Sequence, residues 1–494
     1  MSIKRYKPTK DTTITNAYAS NLSTRGTGSN MGAADVAEVF SIYGQATTSS
    51  IEKSRMLMEF DINQIKTDRT DGTIPASGSV DFYLRLYNAV HAFTLPKDYT
   101  LVIHPVSRSW DEGRGLDMEE YSDSGYANWL VAASASSGIT NWTTPGGDFH
   151  TGAYVSGVSL PSYSQEFNAG PEDLKVDVTS LVEEWIAGLN DLAGARGNFG
   201  VGIFLTSSQE DGSEERSFYT KKFFTRGTEF FYRQPIVEAR WDSSTKDDAG
   251  NFYISSSLSP AVDNLNTLFL YNSVRGQLKN IPNVGESNIL LSVYSTLGGS
   301  KITLPIGGDV KTNDDVNATG SYVKAGVYSV TLAYTGSATT LYPVWHSGSV
   351  EYHTGSAVSA QSMRASNVFK NTEYISKLTN LKSVYTVEET PTLRLYTRQK
   401  DWGPSIYTKS TTDIEVKIVE DGYYKVARVT DNLEIVPYGT GSLNYTRMSF
   451  DSSGSYFELD MSLFEKGYSY KITFAYRNNE KYHEQPESFK FRVE

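Results

Sequence analysis

The chain has 494 residues, a net charge of -12 and no cysteine. A single hydrophobic core stops growing at about 250 to 300 residues, so two to four domains are expected, and the lack of cysteine excludes disulfides, thiolate nucleophiles and sulfur-ligated zinc. The 45 Lys and Arg are outnumbered by 57 Asp and Glu with no long block of either sign; this argues against nucleic acid as a partner, and no apolar run approaches the roughly 20 residues of a membrane span.

The N-terminus, MSIKRYKPTKDTTITN, has early Lys and Arg but no apolar stretch behind them. It does not read as a secretory signal, and a cytoplasmic site of synthesis and assembly is expected. Beyond it the pattern is β throughout. The 33 Tyr and 22 Phe lie in short alternating segments separated by Gly, Ser, Asn and Asp, as in β-sandwiches. In residues 81–87 (DFYLRLY), Phe82, Leu84 and Leu86 share one face, and Tyr83, Arg85 and Tyr87 the other; a period of two predicts a half-buried strand. Similar strands are predicted at 55–60, 100–106, 201–205, 268–272, 328–333, 414–419 and 470–476.

One segment breaks the alternation. Residues 180–189 (SLVEEWIAGL) put Leu181, Val182, Trp185, Ile186 and Leu189 on one face at helical spacing, with Ser180 and Glu183 in capping-box positions. This predicts one short amphipathic helix ending near Gly188, with Trp185 as core, and little helix elsewhere. Polar stretches at 242–251 (DSSTKDDAGN) and about 380–390 suggest breaks near 242 and 385. The expected fold is all-β: a jelly-roll-like sandwich over 1–242 and two immunoglobulin-like sandwiches over 243–385 and 386–494. Gly326 and Tyr328, leading into a strand, suit a tyrosine corner in the second. In the third, Phe489, Phe491 and Val493 share one face of a closing strand.

Several motifs in the first half recur in a familiar order. They are Asp11-Thr12-Thr13-Ile14, the small-residue stretch 26–32, residues 55–61 (RMLMEFD), Trp110-Asp111-Glu112-Gly113, Trp142 followed by residues 145–149 (PGGDF), the helix from Asp177 to Gly188, residues 200–205, and residues 233–239 (RQPIVEA). In this order they resemble the DNRLRE family of carbohydrate-binding-like β-sandwiches, with residues 76–79 and 121–138 as local elaborations. From DTTITNAYASNLSTRGTGSNMG to EQPESFKFRVE the whole chain also resembles structural proteins of T4-like tailed phages of marine bacteria. That resemblance implies a virion component at the neck, tail or capsid surface, assembled in the host cytoplasm. Other virion proteins would be its partners, and a homo-oligomer is expected in the particle.

The residues themselves offer few chemical sites. His346 and His353 are the only close pair of the six histidines and have no third ligand at familiar spacing, so they read as loop or strand residues. Adjacent acids (Asp111 and Glu112, Glu119 and Glu120, Glu214 and Glu215) read as solvated surface rather than a glycosidase pair. Asp11, Asp61 and Asp148 are candidate oxygen ligands for a structural Ca²⁺; no other cofactor is implied. Trp110 and Trp142 are expected to pack the core, whereas Trp129, in loop context, is the candidate for stacking on a sugar ring. Residues 221–226 (KKFFTR), with Arg233 and Arg240, read as a twisted strand with solvated cations.

The expectation is a non-enzymatic protein that acts by docking, with no catalytic residue. The alternative is an appendage that binds a host-surface glycan, and a polysaccharide depolymerase is disfavoured. With no disulfide to brace three modest cores, the isolated chain is expected to associate weakly, its two C-terminal domains supplying most contacts.

Overall fold

In a computed structural model of the protein, the described residues are 2–44, 50–91, 95–119, 125–135, 138–150, 163–188, 197–214, 216–260, 264–305, 312–362, 373–403, 405–410, 416–478 and 480–494. Strand makes up 45% and helix 8%, against about a third helix in an average soluble protein; the fold is all-β with several curled sheets. The chain forms two compact units, Ser2–Asp242 and Ser243–Glu494.

In the first unit, β1 (Ile3–Tyr6), β5 (Asp81–Leu86), β10 (Leu174–Asp177) and β13 (Ile236–Arg240) form a four-stranded sheet in the order β1-β13-β5-β10. A seven-stranded sheet runs β12 (Phe218–Phe224), β3 (Val36–Tyr43), β4 (Ile51–Phe60), β11 (Val201–Leu205), β6 (Tyr99–Pro105) and β9 (Tyr163–Phe167), with β2 (Pro8–Thr15) paired to β4. The hairpin of β7 (Val131–Ala135) and β8 (Gly138–Asn141) stands apart. Alternation decides which face of each strand is buried. Phe82, Leu84 and Leu86 point into one core with Met56, Met58, Leu101, Ile103, Ile203 and Phe223, whereas Leu57 joins a separate cluster.

Helix α2 spans Thr179–Ala187 and ends at Gly188 in the left-handed region, φ 67°. Leu181, Val182 and Trp185 are buried in the main core and Ile186 packs against it; Leu189 lies outside the described residues. The expected capping box does not form. Val178 is the N-cap, without a side-chain cap; the Ser180 hydroxyl instead meets the Tyr163 hydroxyl at 2.6 Å and Glu183 takes the Arg69 guanidinium at 2.6 Å. That arginine lies on a second helix, α1 (Ile62–Thr70), where little helix was expected. With only Ile62 and Ile65 buried, α1 is too polar to leave a helical period in the sequence; its start is set by Asp61, whose carboxylate accepts from Asn63 N at 2.9 Å.

The second unit holds an eight-stranded curled sheet, a pair of smaller sheets of four and five strands, and two two-stranded ribbons. The large sheet runs Asn266–Tyr271, Val327–Leu332, Asn317–Lys324, Ile289–Tyr294, Thr340–Ser347, Val350–Thr354, with Thr312–Asp314 paired to Asn317–Lys324 and Val358–Ser359 to Thr340–Ser347, around a core that includes Phe252, Leu291, Tyr328 and Trp345. Gly326 turns the chain before Tyr328 with φ 72°, and a Cβ there would lie 2.5 Å from Lys279 N. The fully buried Tyr328 donates its hydroxyl to Gly285 O at 2.7 Å and accepts from Ile281 N at 3.1 Å. Tyr328→Phe leaves both backbone groups short of a partner, so a loss of about 1–3 kcal/mol is expected in chemical denaturation.

The smaller sheets pack face to face, Phe457 stacking on Tyr424 with centroids 4.3 Å apart. The polar stretch near 385 is a loop inside this sandwich, not a boundary. Tyr374–Leu378 pairs with Thr392–Gln399, and Val384–Tyr385 runs parallel to Arg492–Val493 on the closing strand Lys481–Val493. Part of 242–251 is also held by backbone pairing: Phe450 N donates to Thr245 O and Asp247 N to Phe450 O, each at 3.0 Å. The strand expected at 414–419 is absent over the described residues 416–419; Gly422–Arg428 is the strand that pairs with Ser469–Asn478.

Candidate functional site

Beyond the large sheet of the first unit, Ile14, Leu57, Val106, Trp110, Ala127, Trp129, Ala132 and Trp142 form a second apolar cluster. Trp110 and Trp142 are buried, their indole N–H groups donating to Phe199 O and Asn128 O, both at 2.9 Å. Trp129 is only 7% exposed. The Arg55 guanidinium lies 5.6 Å from its ring centroid, and a Cβ on Gly146 would come within 2.8 Å of the ring. The exposed stacking face expected of Trp129 is therefore absent, because the loop that carries it packs the indole among Ile14, Leu57 and Trp142.

The candidate calcium ligands are not brought together: among the described residues no three His, Cys, Asp or Glu gather to hold a metal. Asp61 caps α1, and Asp148 accepts from Thr143 N and Thr144 N, each at 2.9 Å. Asp11 is 1% exposed and accepts from Arg226 N at 2.6 Å. Burial, with the Glu112 carboxylate adding to it, pushes Asp11 up to about 7 against the pull of the Arg226 amide. Glu112 also takes the Arg226 guanidinium at 2.7 Å. Among the other acids, Glu119 accepts from Ser20, while Glu120 and Glu215 lie outside the described residues. His346 engages Ser292 Oγ at 2.7 Å and Gly348 O at 3.0 Å.

The segment expected to carry solvated cations buries two of them. Lys221 is 0% exposed, as deep as the apolar core. Arg240 lies on β13 beside Glu238, itself 1% exposed. Three guanidiniums converge on Glu238: Arg5 at 2.7 Å, Arg85 at 3.2 Å and Arg240 at 2.7 Å. Burial alone would raise this carboxyl, but the three cations hold it well below the ordinary carboxylate range.

In the second unit a cleft of about 330 Å³ is lined in part by Asp247, Phe269, Tyr271, Trp345, His353 and Asp451. Its two carboxyls differ. Asp451 takes the Arg394 guanidinium at 2.8 Å; Asp247, capping the turn through Ala249 N at 3.1 Å, is pushed up to about 6 by burial, with Asp451 and Asp248 adding to it. Aromatic faces beside carboxyls suit hydroxyl-rich ligands. A carboxyl raised on folding contributes stability below its unfolded value that is lost as pH rises through its folded one. Asp247→Asn, which keeps the acceptor and lacks the charge, is therefore expected to be about 1–3 kcal/mol more stable than the parent at neutral pH. The difference should vanish near pH 4, as read from thermal melts across that range.

These features define an all-β, multi-sandwich protein that buries charged side chains among its sheets. No family model matches the sequence, and no curated protein is significantly similar to it. Among solved structures it is similar to a marsupial T cell receptor at 10% identity, over 49% of this chain and 70% of that one, TM-score 0.16. It is also similar to the BSP domain of a biofilm-associated protein at 9% identity, over 96% and 69%, TM-score 0.16. Against Escherichia coli alpha-2-macroglobulin the identity is 8%, over 90% of this chain and 23% of that one, TM-score 0.15. Among the described residues no helix is long and apolar enough to cross a membrane.

Proposed function

We propose that the chain is a non-enzymatic virion protein of a tailed phage, a neck, tail or capsid-surface component that acts by docking to other virion proteins. One observation supports the non-catalytic part: the buried carboxylates Glu238 and Glu210 are paired with arginine side chains of the same unit, Glu210 with Arg55 at 2.9 Å, and the buried Asp11 accepts from the Arg226 amide. Carboxylates held in this way brace a scaffold. The virion part rests on the whole-chain resemblance to tailed-phage structural proteins. Mass spectrometry of purified particles tests it: the chain is expected among the virion proteins, and its absence from intact particles rejects the reading.

A second reading, binding of a host-surface glycan, is favoured by the cleft of the second unit, with Phe269, Tyr271 and Asp247 on its wall. With Trp129 buried, this cleft is the better place for a sugar. A glycan array separates the two readings, since binding that is lost in Tyr271→Ala supports the appendage and no binding to any glycan supports the purely architectural protein.

A further inference from the structure

Lys221 lies on β12 with its ammonium sealed from water. Its Nζ is 2.7 Å from Asn88 Oδ1, 2.7 Å from Gly170 O and 2.6 Å from Glu172 O. The ring centroids of Phe167 and Phe223 stand 4.9 Å and 5.2 Å away. Burial draws this amine down to about 8, with Glu172 and Asp173 pulling the other way. At neutral pH roughly a tenth of it is then the uncharged nucleophile.

The amine also lies close to an electrophile. The carbonyl carbon of the Asn88 side-chain amide is one C=O bond, about 1.23 Å, from the oxygen that Nζ contacts, so it lies no more than about 3.9 Å from the nitrogen. Reacting atoms in near-attack geometry stand about 3 to 3.5 Å apart. The two side chains are kept together by backbone: Phe224 N donates to Tyr87 O at 3.1 Å and Ala89 N to Lys222 O at 3.0 Å. Asn88 follows β5 of the four-stranded sheet, whereas β12 is an edge strand of the other sheet. A proton carrier lies near the pair: the Glu172 carboxylate favours the charged amine and is itself held low, against its burial, by the amides of Ala169, Glu172 and Gly170; its Oε2 is buried without a hydrogen-bond partner among the described residues, and the Glu172 carbonyl holds the amine.

We propose that Lys221 and Asn88 form an intramolecular isopeptide bond that ties β12 covalently to the end of β5. The neutral Nζ attacks Cγ of Asn88, and the Cγ–Nδ2 bond breaks. Nδ2 leaves as ammonia with the proton that Nζ gives up, the Glu172 carboxylate carrying that proton between them. The exchange of one amide for another needs no oxidant, cofactor or second substrate. In a chain without cysteine it supplies the covalent brace that disulfides give other small cores.

The test is the intact mass of the full, folded chain, followed by tryptic mapping. The expected mass is about 17 Da below that of the sequence, one ammonia. A branched peptide should join the Asn88 and Lys221 segments, with no cleavage after Lys221. Lys221→Met and Asn88→Ala should each restore the mass of their own sequence, and Glu172→Gln should slow the loss of ammonia. The full sequence mass in wild-type protein held for days near pH 8, about where half the amine is neutral, overturns the proposal whatever the variants do. Loss of ammonia without the branched peptide overturns it too, and formation at the parental rate in Glu172→Gln removes the role given to that carboxylate.

Discussion

Glu238→Gln is expected to destabilise the first unit by about 3–5 kcal/mol, the usual result of breaking a buried ion pair by removing one partner. Glu238 sits on β13 with Arg5 opposite it on β1 and Arg85 on the neighbouring β5, so one buried carboxylate is shared by three guanidiniums. The amide keeps the shape and one acceptor but leaves three like charges crowded on one face of the sheet. Arg5→Met should cost less, because Arg85 and Arg240 still neutralise the carboxylate. Unfolding followed by tryptophan fluorescence reads this unit preferentially, since it carries Trp110, Trp129, Trp142, Trp185 and Trp241 of the seven tryptophans. The pH dependence has a definite sign. A carboxyl held below its unfolded value stabilises the fold above that value and loses the contribution as pH falls toward the folded one. The parent should therefore lose stability steeply below about pH 4.5, the unfolded range of a glutamate, and Glu238→Gln should flatten that limb. A variant as stable as the parent at pH 7, with the same acid limb, would mean that the cluster contributes nothing.

Trp185→Ala should cost a similar amount, about 3–5 kcal/mol, the usual range for emptying a buried aromatic site. Trp185 lies on the inner face of α2 among Leu181, Val182 and the core strands. Its indole N–H has no partner among the described residues, so Trp185→Phe removes an unsatisfied donor along with some volume. That change should cost clearly less than Trp110→Phe, which takes away the donor that Phe199 O accepts. Denaturant midpoints of the four proteins check the order. Equal stability of Trp185→Ala and the parent would show that α2 does not seal the end of the core.

The proposed isopeptide bond bears on both measurements. It would close a long loop between Asn88 and Lys221, and restraining such a loop lowers the entropy of the unfolded chain. The cost of each substitution should be compared in protein of one defined mass.

What the sequence determined by itself is whatever depends on neighbours along the chain. The alternation in Asp81–Leu86 and Tyr99–Pro105, the apolar face of α2 and the turn before Tyr328 are local patterns, and each stands in the fold where its period or turn chemistry put it. Tertiary structure decided the fate of side chains whose environment is built from distant residues. Trp129 is buried because its own segment closes over Ile14 and Leu57, which local composition does not encode. Asp61 serves a helix too polar to show a period, and the loop near 385 belongs to a sandwich because Arg492 and Val493 return to pair with it. Glu238 occupies the outward position of an alternating strand, where water would be expected; arginines 233 and 153 residues away along the chain cover it instead. Lys221 reads as an exposed cation until Asn88, Gly170 and Glu172 arrive from elsewhere in the fold to surround it. The physical reason is common to all of these. Backbone periodicity is set within a few residues, whereas solvation and charge depend on which parts of the chain meet in space.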